Sequence, residues 1–469
     1  MDSYQQIGLL KIQSAQDRSH AVAEEVERVK NRLYTSPGCN RVLEFVGKAA
    51  EEIHALLDSE KPLAVSGLLD PAEFEVRLQR IIKIIPVLHR LIGFVEGSDV
   101  HRSPGQLIQP LRRYAQSIIP SSDIVVSSKP ELNYSIQEIA ASLRKLFSDS
   151  PLKSTCDLLP QLLFVINLPA VESEQILIHS ILSHELGHAL YDEKQLADTL
   201  LPQIRFRDDL VGSLVKSVSE NNKKQLEPPE ELWFREQATQ QVTERITSWI
   251  KELSADAIGI RLFGPCLFFA ATNLLSSLSH FDHSSRTHPP TRLRLKLMLM
   301  MLKQLYDVDQ WAAPLQDHVR PWEEVSGGVI QVRAAFDQIT IESINTDEVL
   351  QLVISTSALA VSDRNCYSSE RFTSDVAALP PLMLKLIPPG ELGPLGNEVA
   401  VDLVSIINAG WYVHLCHFGD FQRHLHAGTT GTHFGTASKL RELVLKGLEI
   451  SETRTSWKEA RLDSQQRKN

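Results

Sequence analysis

Residues 176–191 have the sequence ILIHSILSHELGHALY. The apolar residues that flank the central HELGH predict a helix, and residues four apart on a helix lie on one face. His184 and His188 would therefore point the same way, so both imidazoles could bind one Zn²⁺ ion. A string of this form also arises by chance in long chains, which leaves a metal-free helix open if the stretch is taken alone.

Glu185 stands beside the first of these histidines and is the candidate general base. Zinc lowers the pKa of a water toward about 7 and polarises a carbonyl group. A carboxylate next to the ion can take the proton of that water as it attacks. The pattern therefore predicts hydrolysis, with His184 and His188 as metal ligands and Glu185 as the base.

A second helix carries carboxylates at a useful spacing. It is predicted from Glu230 to about Leu262, where a Gly-Pro pair ends it, and it contains Glu252 and Asp256. A hydrolytic zinc site needs three protein ligands with one position left to water, and Glu252 would be the third. Asp256 would accept the second ring N–H of a ligand histidine. The alternatives are an exposed helix carboxylate for Glu252 and a plain ion pair for Asp256.

A third motif follows at residues 287–294, which read THPPTRLR. Two prolines fix a loop here, and Thr291 can cap the helix that begins after it. His288 and Arg294 are then left as polar groups that could approach the metal cleft.

Taken in order, HELGH at 184–188, ExxAD at 252–256 and HPPxxxR at 288–294 resemble the gluzincin zinc peptidases, which include the CAAX prenyl proteases and the HtpX-like heat-shock proteases. The resemblance covers roughly residues 162–305. It implies a single zinc ion and, for seven residues, the following roles: His184, His188 and Glu252 as ligands, Glu185 as base, Asp256 as partner of a ligand histidine, and His288 and Arg294 as cleft residues that steady the substrate carbonyl or the oxyanion. It also implies that Leu163–Ile166 is an edge strand to which an extended peptide adds.

Membrane members of this family carry several spanning helices, and this sequence departs from them. Its longest uncharged stretch, residues 262–279, barely reaches spanning length and is interrupted by Gly264, Pro265, Asn273 and three serines. The stretch is predicted to be a buried helix, with no membrane span. Cleavage of prenylated or membrane-inserted substrates is therefore not expected.

The pattern of elements predicts an α+β protein, mainly helical, with a gluzincin-like zinc peptidase core. Short β-like runs occur at 124–126 and 162–166, and a long helical pattern opens at Glu172. The predicted domains are a helical accessory region, the peptidase core and a C-terminal α/β accessory region, at 1–120, 121–306 and 307–469.

The C-terminal region mixes strand-like and helical runs, including Gly328–Val332 and Val349–Ile354. Neither terminal region resembles a known family. We therefore expect them to select the substrate, to regulate activity or to hold a regulatory partner.

Composition narrows the class of protein further. The net charge of −10 and the pI near 5.9 predict neither nucleic acid nor an anionic membrane as a partner. Five scattered cysteines, none in a C-x-x-C pair, are typical of unpaired thiols in a reducing compartment. Because the N-terminal residues also lack a secretory pattern, the expected location is cytoplasmic.

Other residue clusters in the sequence do not predict a functional site. The run Gly428–Gly435 lacks the ending of a phosphate-binding loop and is interpreted as a flexible loop, while His179 is interpreted as structural and Tyr191 as a cleft residue. Five residues close together fit no standard zinc spacing and are interpreted as scattered surface and core residues: His414, Cys416, His417, His424 and His426.

Three functional hypotheses follow. The leading one is a zinc-dependent endopeptidase that hydrolyses peptide bonds of a protein or peptide substrate. The second is a latent or inactive peptidase-fold sensor or interaction protein that its accessory regions regulate. The third is a metal-free helical interaction protein in which the motif arose by chance, and it predicts no bound zinc after purification.

Overall fold

The computed structural model describes the residues in the ranges 3–66, 70–101, 105–131, 134–148, 150–204, 228–275, 285, 287–326, 332–333, 340–341, 346–394, 398–426 and 432–466. They form long helices and a small sheet, which confirms the predicted mainly helical α+β class. The chain divides into two compact units, residues 1–174 and 175–469. Residues 121–174 thus group with the N-terminal helices, and residues 307–469 group with the motif helices.

The first unit contains six helices and three strands among its described residues. In chain order they are α1 Ser3–Val29, α2 Gly38–Ser66, α3 Pro71–Ile82, α4 Ile85–Glu96, α5 Gly105–Ile118, β1 Ser122–Lys129, β2 Ser135–Glu138, α6 Ala140–Phe147 and β3 Leu162–Pro169, with 3-10 turns at Pro151–Leu158 and Ala170–Glu172. The helices pack on one another and on the sheet around a single apolar core. The helix α1 contributes Ile12, Val22, Val26 and Val29 to this core.

The sheet of the first unit corrects one expectation. Both predicted strands exist as β1 and β3, but the strand order is β1-β3-β2. The strand β3 pairs in parallel with β1 along its length and antiparallel with β2 at Phe164–Asn167. It is therefore an interior strand, and the prediction of a free edge at Leu163–Ile166 is wrong, because the short strand β2 occupies that edge.

The second unit contains the motif helices. Its described elements in chain order are α7 Leu182–Glu193, α8 Leu196–Leu200, α9 Pro228–Phe263, α10 Pro265–Leu275, α11 Thr291–Tyr306, α12 Ala313–Ser326, β4 Val332–Arg333, β5 Thr340–Ile341, α13 Thr346–Ala360, α14 Ser369–Ala378, α15 Pro380–Leu384, β6 Glu391–Leu392, β7 Val399–Ala400, α16 Leu403–Cys416, α17 Phe418–Leu425 and α18 His433–Gln466. Short 3-10 turns lie at Ile178–Ile181, Leu201–Gln203, Val308–Gln310 and Asp363–Asn365.

The motif helix α7 is shorter than the sequence pattern predicts. It begins at Leu182 rather than at Glu172, after a 3-10 turn at Ile178–Ile181. Ser180 explains part of the difference, because its Oγ lies 2.8 Å from the Leu177 carbonyl and 2.8 Å from the Cys266 carbonyl. This hydroxyl ties the segment to α10 and favours a tight turn over a continuous helix.

The long helix α9 begins and ends where the local sequence predicts. Pro228 and Pro229 begin it, and Glu230 and Glu231 lie in its first turn, where carboxylates are favourable. It ends at Phe263, and Gly264 follows with φ +69°, a conformation that favours glycine. The predicted helix from Glu230 to about Leu262 is confirmed.

The C-terminal region is more helical than the sequence suggests. The run Val349–Ile354 lies within α13, where Leu350, Val353 and Ile354 are buried at helical spacing. The strand-like interpretation is wrong here, since a short apolar run fits a buried helix equally well. Residues 328–331 of the other predicted run and residues 428–431 of the glycine-rich run lie outside the described residues.

Residues 265–275 of the predicted apolar stretch form α10, and residues 265–272 of this helix are buried. Residues 276–279 of the stretch lie outside the described residues. Among the described residues, no helix combines the length and the apolar character needed to cross a bilayer.

Candidate metal site

The site is built where α7 and α9 cross at very short range. A Cβ atom on Gly187 would lie 2.4 Å from the Ala255 carbonyl oxygen, and one on Gly259 would lie 3.1 Å from the His184 nitrogen. Only glycine at position 187 allows the two backbones to approach this closely. The crossing places Glu252 and Asp256, one turn apart on α9, against the histidines of α7.

Three side chains converge at this crossing. The Nε2 atoms of His184 and His188 lie 3.1 Å apart. The carboxylate of Glu252 completes the triangle, with Oε2 3.5 Å from His184 Nε2 and Oε1 3.3 Å from His188 Nε2. Within the described part of the chain, this is the one group of three or more His, Cys, Asp or Glu side chains that could hold a metal ion.

The spacing of these atoms fits a tetrahedral ion. Ligand atoms about 2.05 Å from zinc at tetrahedral angles are about 3.3 Å from one another. Oε2 of Glu252 and Nδ1 of His188 are buried and have no hydrogen-bond partner among the described residues. Burial opposes charge on Glu252, but the two histidines hold the pKa of its carboxyl well below the usual range. A charged carboxylate and two imidazoles are a suitable donor set for a divalent cation.

Asp256 contacts Nδ1 of His184, the ring nitrogen that does not face the other two candidate ligands. It is fully buried, and its Oδ1 lies 2.7 Å from Nδ1 of His184. Burial lowers the pKa of His184, but the neighbouring carboxylates, Asp256 first, raise it to about 9 overall. The predicted contact between Asp256 and a candidate ligand histidine is therefore present, and it is also an ion pair when His184 is protonated.

Glu185 is nearly buried beside the two histidines of α7. Burial lowers the pKa of Arg294, yet Asp256, Glu252 and Glu185 together raise it. Glu185 is thus one of the carboxylates whose charge acts on Arg294.

His288 lies at the rim of the site. Its Nε2 is 3.9 Å from Oε2 of Glu252, and its side chain is 60% exposed. Nδ1 lies 2.8 Å from the Thr287 hydroxyl, and the backbone N–H donates to Ser285 Oγ at 2.9 Å. The loop thus orients the free face of the ring toward Glu252 and the solvent.

Arg294 is placed differently from the sequence expectation. Its side chain is 13% exposed, and Nε and Nη2 both donate to the Asp256 carboxylate at 2.7 Å. Two of its donors therefore bind within the protein. Thr291, expected as a cap, is the first residue of α11, and no side chain caps the N-terminus of this helix.

The other predicted residues are not among the three candidate ligands. Tyr191 is buried, its hydroxyl has no hydrogen-bond partner among the described residues, and burial raises its pKa to about 12. His179 is buried before α7. His414 packs edge-on against Trp411 and Phe418.

Sequence reasoning missed two features of the site. One is the close crossing, although Ala255 and Gly259, small residues four apart on α9, gave a signal for it. The other is Trp249, whose Nε1 donates to the Ser285 carbonyl at 3.2 Å and so anchors the loop that carries His288. No local pattern marks that contact.

No protein-family model, curated protein or solved structure matches this chain. The gluzincin resemblance therefore remains a prediction from the motif residues, and function is inferred from the site alone.

Proposed function

We propose that this protein is a zinc-dependent endopeptidase that hydrolyses peptide bonds of a protein or peptide substrate. One observation carries the proposal: the facing nitrogens of His184 and His188 and the carboxylate of Glu252 lie 3.1–3.5 Å from one another, with Glu185 beside them. Two imidazoles and one carboxylate are the ligand set of several hydrolytic zinc sites, in which a fourth position stays open.

The chemistry divides between the ion and the chain. Zinc bound by His184, His188 and Glu252 would supply a Lewis acid that lowers the pKa of a water and polarises the substrate carbonyl. Glu185 accepts the proton of the attacking water and delivers it to the leaving nitrogen as the peptide bond breaks. Asp256 holds His184 in the orientation that directs Nε2 toward the other ligands.

A panel of single substitutions tests the metal site. We expect His184→Ala and Glu252→Ala to lose most of the zinc, because a three-ligand site cannot spare a ligand. Glu185→Gln should keep the zinc, since this residue is not a ligand. Glu193→Gln, at the exposed end of the same helix, is the matched control. Zinc content after purification, measured by mass spectrometry, is the readout.

Peptidase activity is tested separately, by comparing new protein N-termini in cells that carry the wild type or Glu185→Gln. Cleavages present only with the wild type support the proposal. Zinc without any cleavage that depends on Glu185 would favour the latent sensor instead. Full zinc retention in His184→Ala would contradict the assigned ligands.

A further inference from the structure

Arg294, on α11, binds Asp256 through a planar two-point contact. Nε donates to Oδ2 at 2.7 Å, and Nη2 donates to Oδ1 at 2.7 Å. Asp256 is fully buried, and the Arg294 side chain is largely so. A guanidinium that grips a carboxylate at two points fixes both the position and the plane of that carboxylate.

The fixed carboxylate in turn contacts a candidate metal ligand. Oδ1 of Asp256 lies 2.7 Å from Nδ1 of His184 and also accepts the bond from Arg294 Nη2, which itself lies 3.4 Å from Nδ1. The shorter bonds to Asp256 are the stronger contacts. An ionised carboxylate only accepts hydrogen bonds, so Nδ1 of His184 must carry the hydrogen. In the neutral ring the lone pair is then on Nε2, the atom that faces His188 and Glu252.

The second histidine has no such support. Nδ1 of His188 is buried without a hydrogen-bond partner in the described part of the chain. Of the two candidate ligand histidines, His184 is the one whose Nδ1 has a partner within the described residues, Asp256. The orientation of the site should therefore depend strongly on the contacts that reach His184.

We propose that Arg294 is a positioning residue of the zinc site, which acts through Asp256 to hold His184 with Nε2 toward the metal. This inference rests on the proposed zinc site and departs from the cleft role that the family resemblance implies. It connects three helices, since Arg294 lies on α11, Asp256 on α9 and His184 on α7. The ligand that the oriented Nε2 of His184 would bind is a divalent cation.

Zinc affinity and the visible spectrum of the cobalt-substituted protein test the proposal without any peptidase assay. Arg294→Lys keeps the charge but lacks the planar pair of donors, and Arg294→Gln removes the charge. We expect both to weaken zinc binding by about 10- to 100-fold, the usual loss when the partner of a ligand histidine is removed. Both should also change the cobalt absorption bands. Arg292→Lys, on the same helix but bonded to the Val325 carbonyl, is the control and should change neither.

The double variant Arg294→Gln/Asp256→Asn separates action through Asp256 from a general loss of stability. If Arg294 acts through Asp256, the double variant should bind zinc no more weakly than Asp256→Asn alone. Additive losses would overturn the proposal, and so would normal affinity with an unchanged cobalt spectrum in a folded Arg294→Lys variant. Wild-type protein that binds no zinc would overturn both the metal site and this inference. Bound zinc without peptidase activity would overturn only the proposed function.

Discussion

The exposed ring of His288 and the buried guanidinium of Arg294 have opposite surroundings, although the same sequence motif supplies both. Nearly all of Arg294 is enclosed, and two of its donors bind Asp256. His288 keeps Nε2 on the solvent side of Glu252, within 3.9 Å of its carboxylate. A donor for the negative charge that develops during hydrolysis must lie beside the candidate ligands and reach the substrate, and the exposed ring of His288 is the group we propose for this role.

We predict that His288→Ala lowers kcat by about 10²- to 10³-fold, the typical cost of one lost oxyanion donor. Zinc content should stay normal, because the ring is not one of the three candidate ligands. The melting temperature should also change little, since a side chain that is 60% exposed contributes little packing. Steady-state kinetics on a cleavable substrate, with zinc analysis of the same sample, is the measurement.

Thr287→Val is the companion variant, because it removes the hydroxyl that lies 2.8 Å from His288 Nδ1. A smaller fall in kcat is expected, since the ring remains but loses an anchor. If His288→Ala retained near-normal kcat but had a lower melting temperature, the ring would stabilise the loop and take no part in the reaction.

At the scale of elements, the crossing of α7 and α9 sets the distance between the histidines and Glu252. Gly187 permits the approach, since an added Cβ would lie 2.4 Å from the Ala255 carbonyl oxygen and 2.8 Å from its Cα. Both of these are backbone atoms, so a rotamer change cannot relieve the clash. The helices themselves would have to move apart.

We therefore predict that Gly187→Ala weakens zinc binding and lowers the free energy of unfolding by about 1–3 kcal/mol, the usual range for overpacking. Chelator competition and thermal unfolding measure the two effects. The control is Gly93→Ala in α4, where a Cβ would meet nothing within 4 Å. This change should raise the free energy of unfolding by up to about 1 kcal/mol, because alanine favours a helix more than glycine does. Equal behaviour of the two variants would mean that the close crossing is not required.

At the scale of the second unit, the C-terminal helices pack around the motif helices. The indole N–H of Trp411, on α16, donates to the Leu177 carbonyl at 3.0 Å. Asn408 accepts from the Cys266 N–H at 3.1 Å and donates to the Phe263 carbonyl at 2.8 Å, so it bridges the end of α9 and the start of α10. The backbone N–H of Tyr367 donates to the Arg261 carbonyl at 2.8 Å.

We predict that a chain ending at Ser326 fails to fold its motif helices and does not bind zinc in a one-to-one ratio. The truncation removes Asn408, the acceptor of the buried Cys266 N–H, at a cost of about 1–3 kcal/mol, and exposes the apolar surface that α16 covers. A chain ending at Ser456 is the control, since it removes mainly exposed residues of α18. Circular dichroism and zinc content are the measurements, and a folded, zinc-binding chain 1–326 would show that residues 327–469 are accessory.

The sequence alone determined the features that depend on neighbouring residues. Four-residue spacing brought His184 and His188 onto one face, and the Gly-Pro pair after Phe263 ended α9 where predicted. The apolar runs of β1 and β3 were also recognised, because hydrophobic periodicity and turn residues act locally. His184 and His188 could be named for the same reason, since both lie in one regular helix, whereas Glu252 was named from the need for a third ligand and from the order of the motifs.

Only the tertiary structure decided the features that depend on distant residues. Whether β3 has a free edge depends on β2, and whether Val349–Ile354 is helix or strand depends on what buries it. The sequence analysis assigned Arg294 to the cleft, and only the packing of α11 against α9 shows that its donors bind Asp256. Such choices rest on contacts between residues far apart in the chain, and single-sequence periodicity carries no information about which surfaces meet.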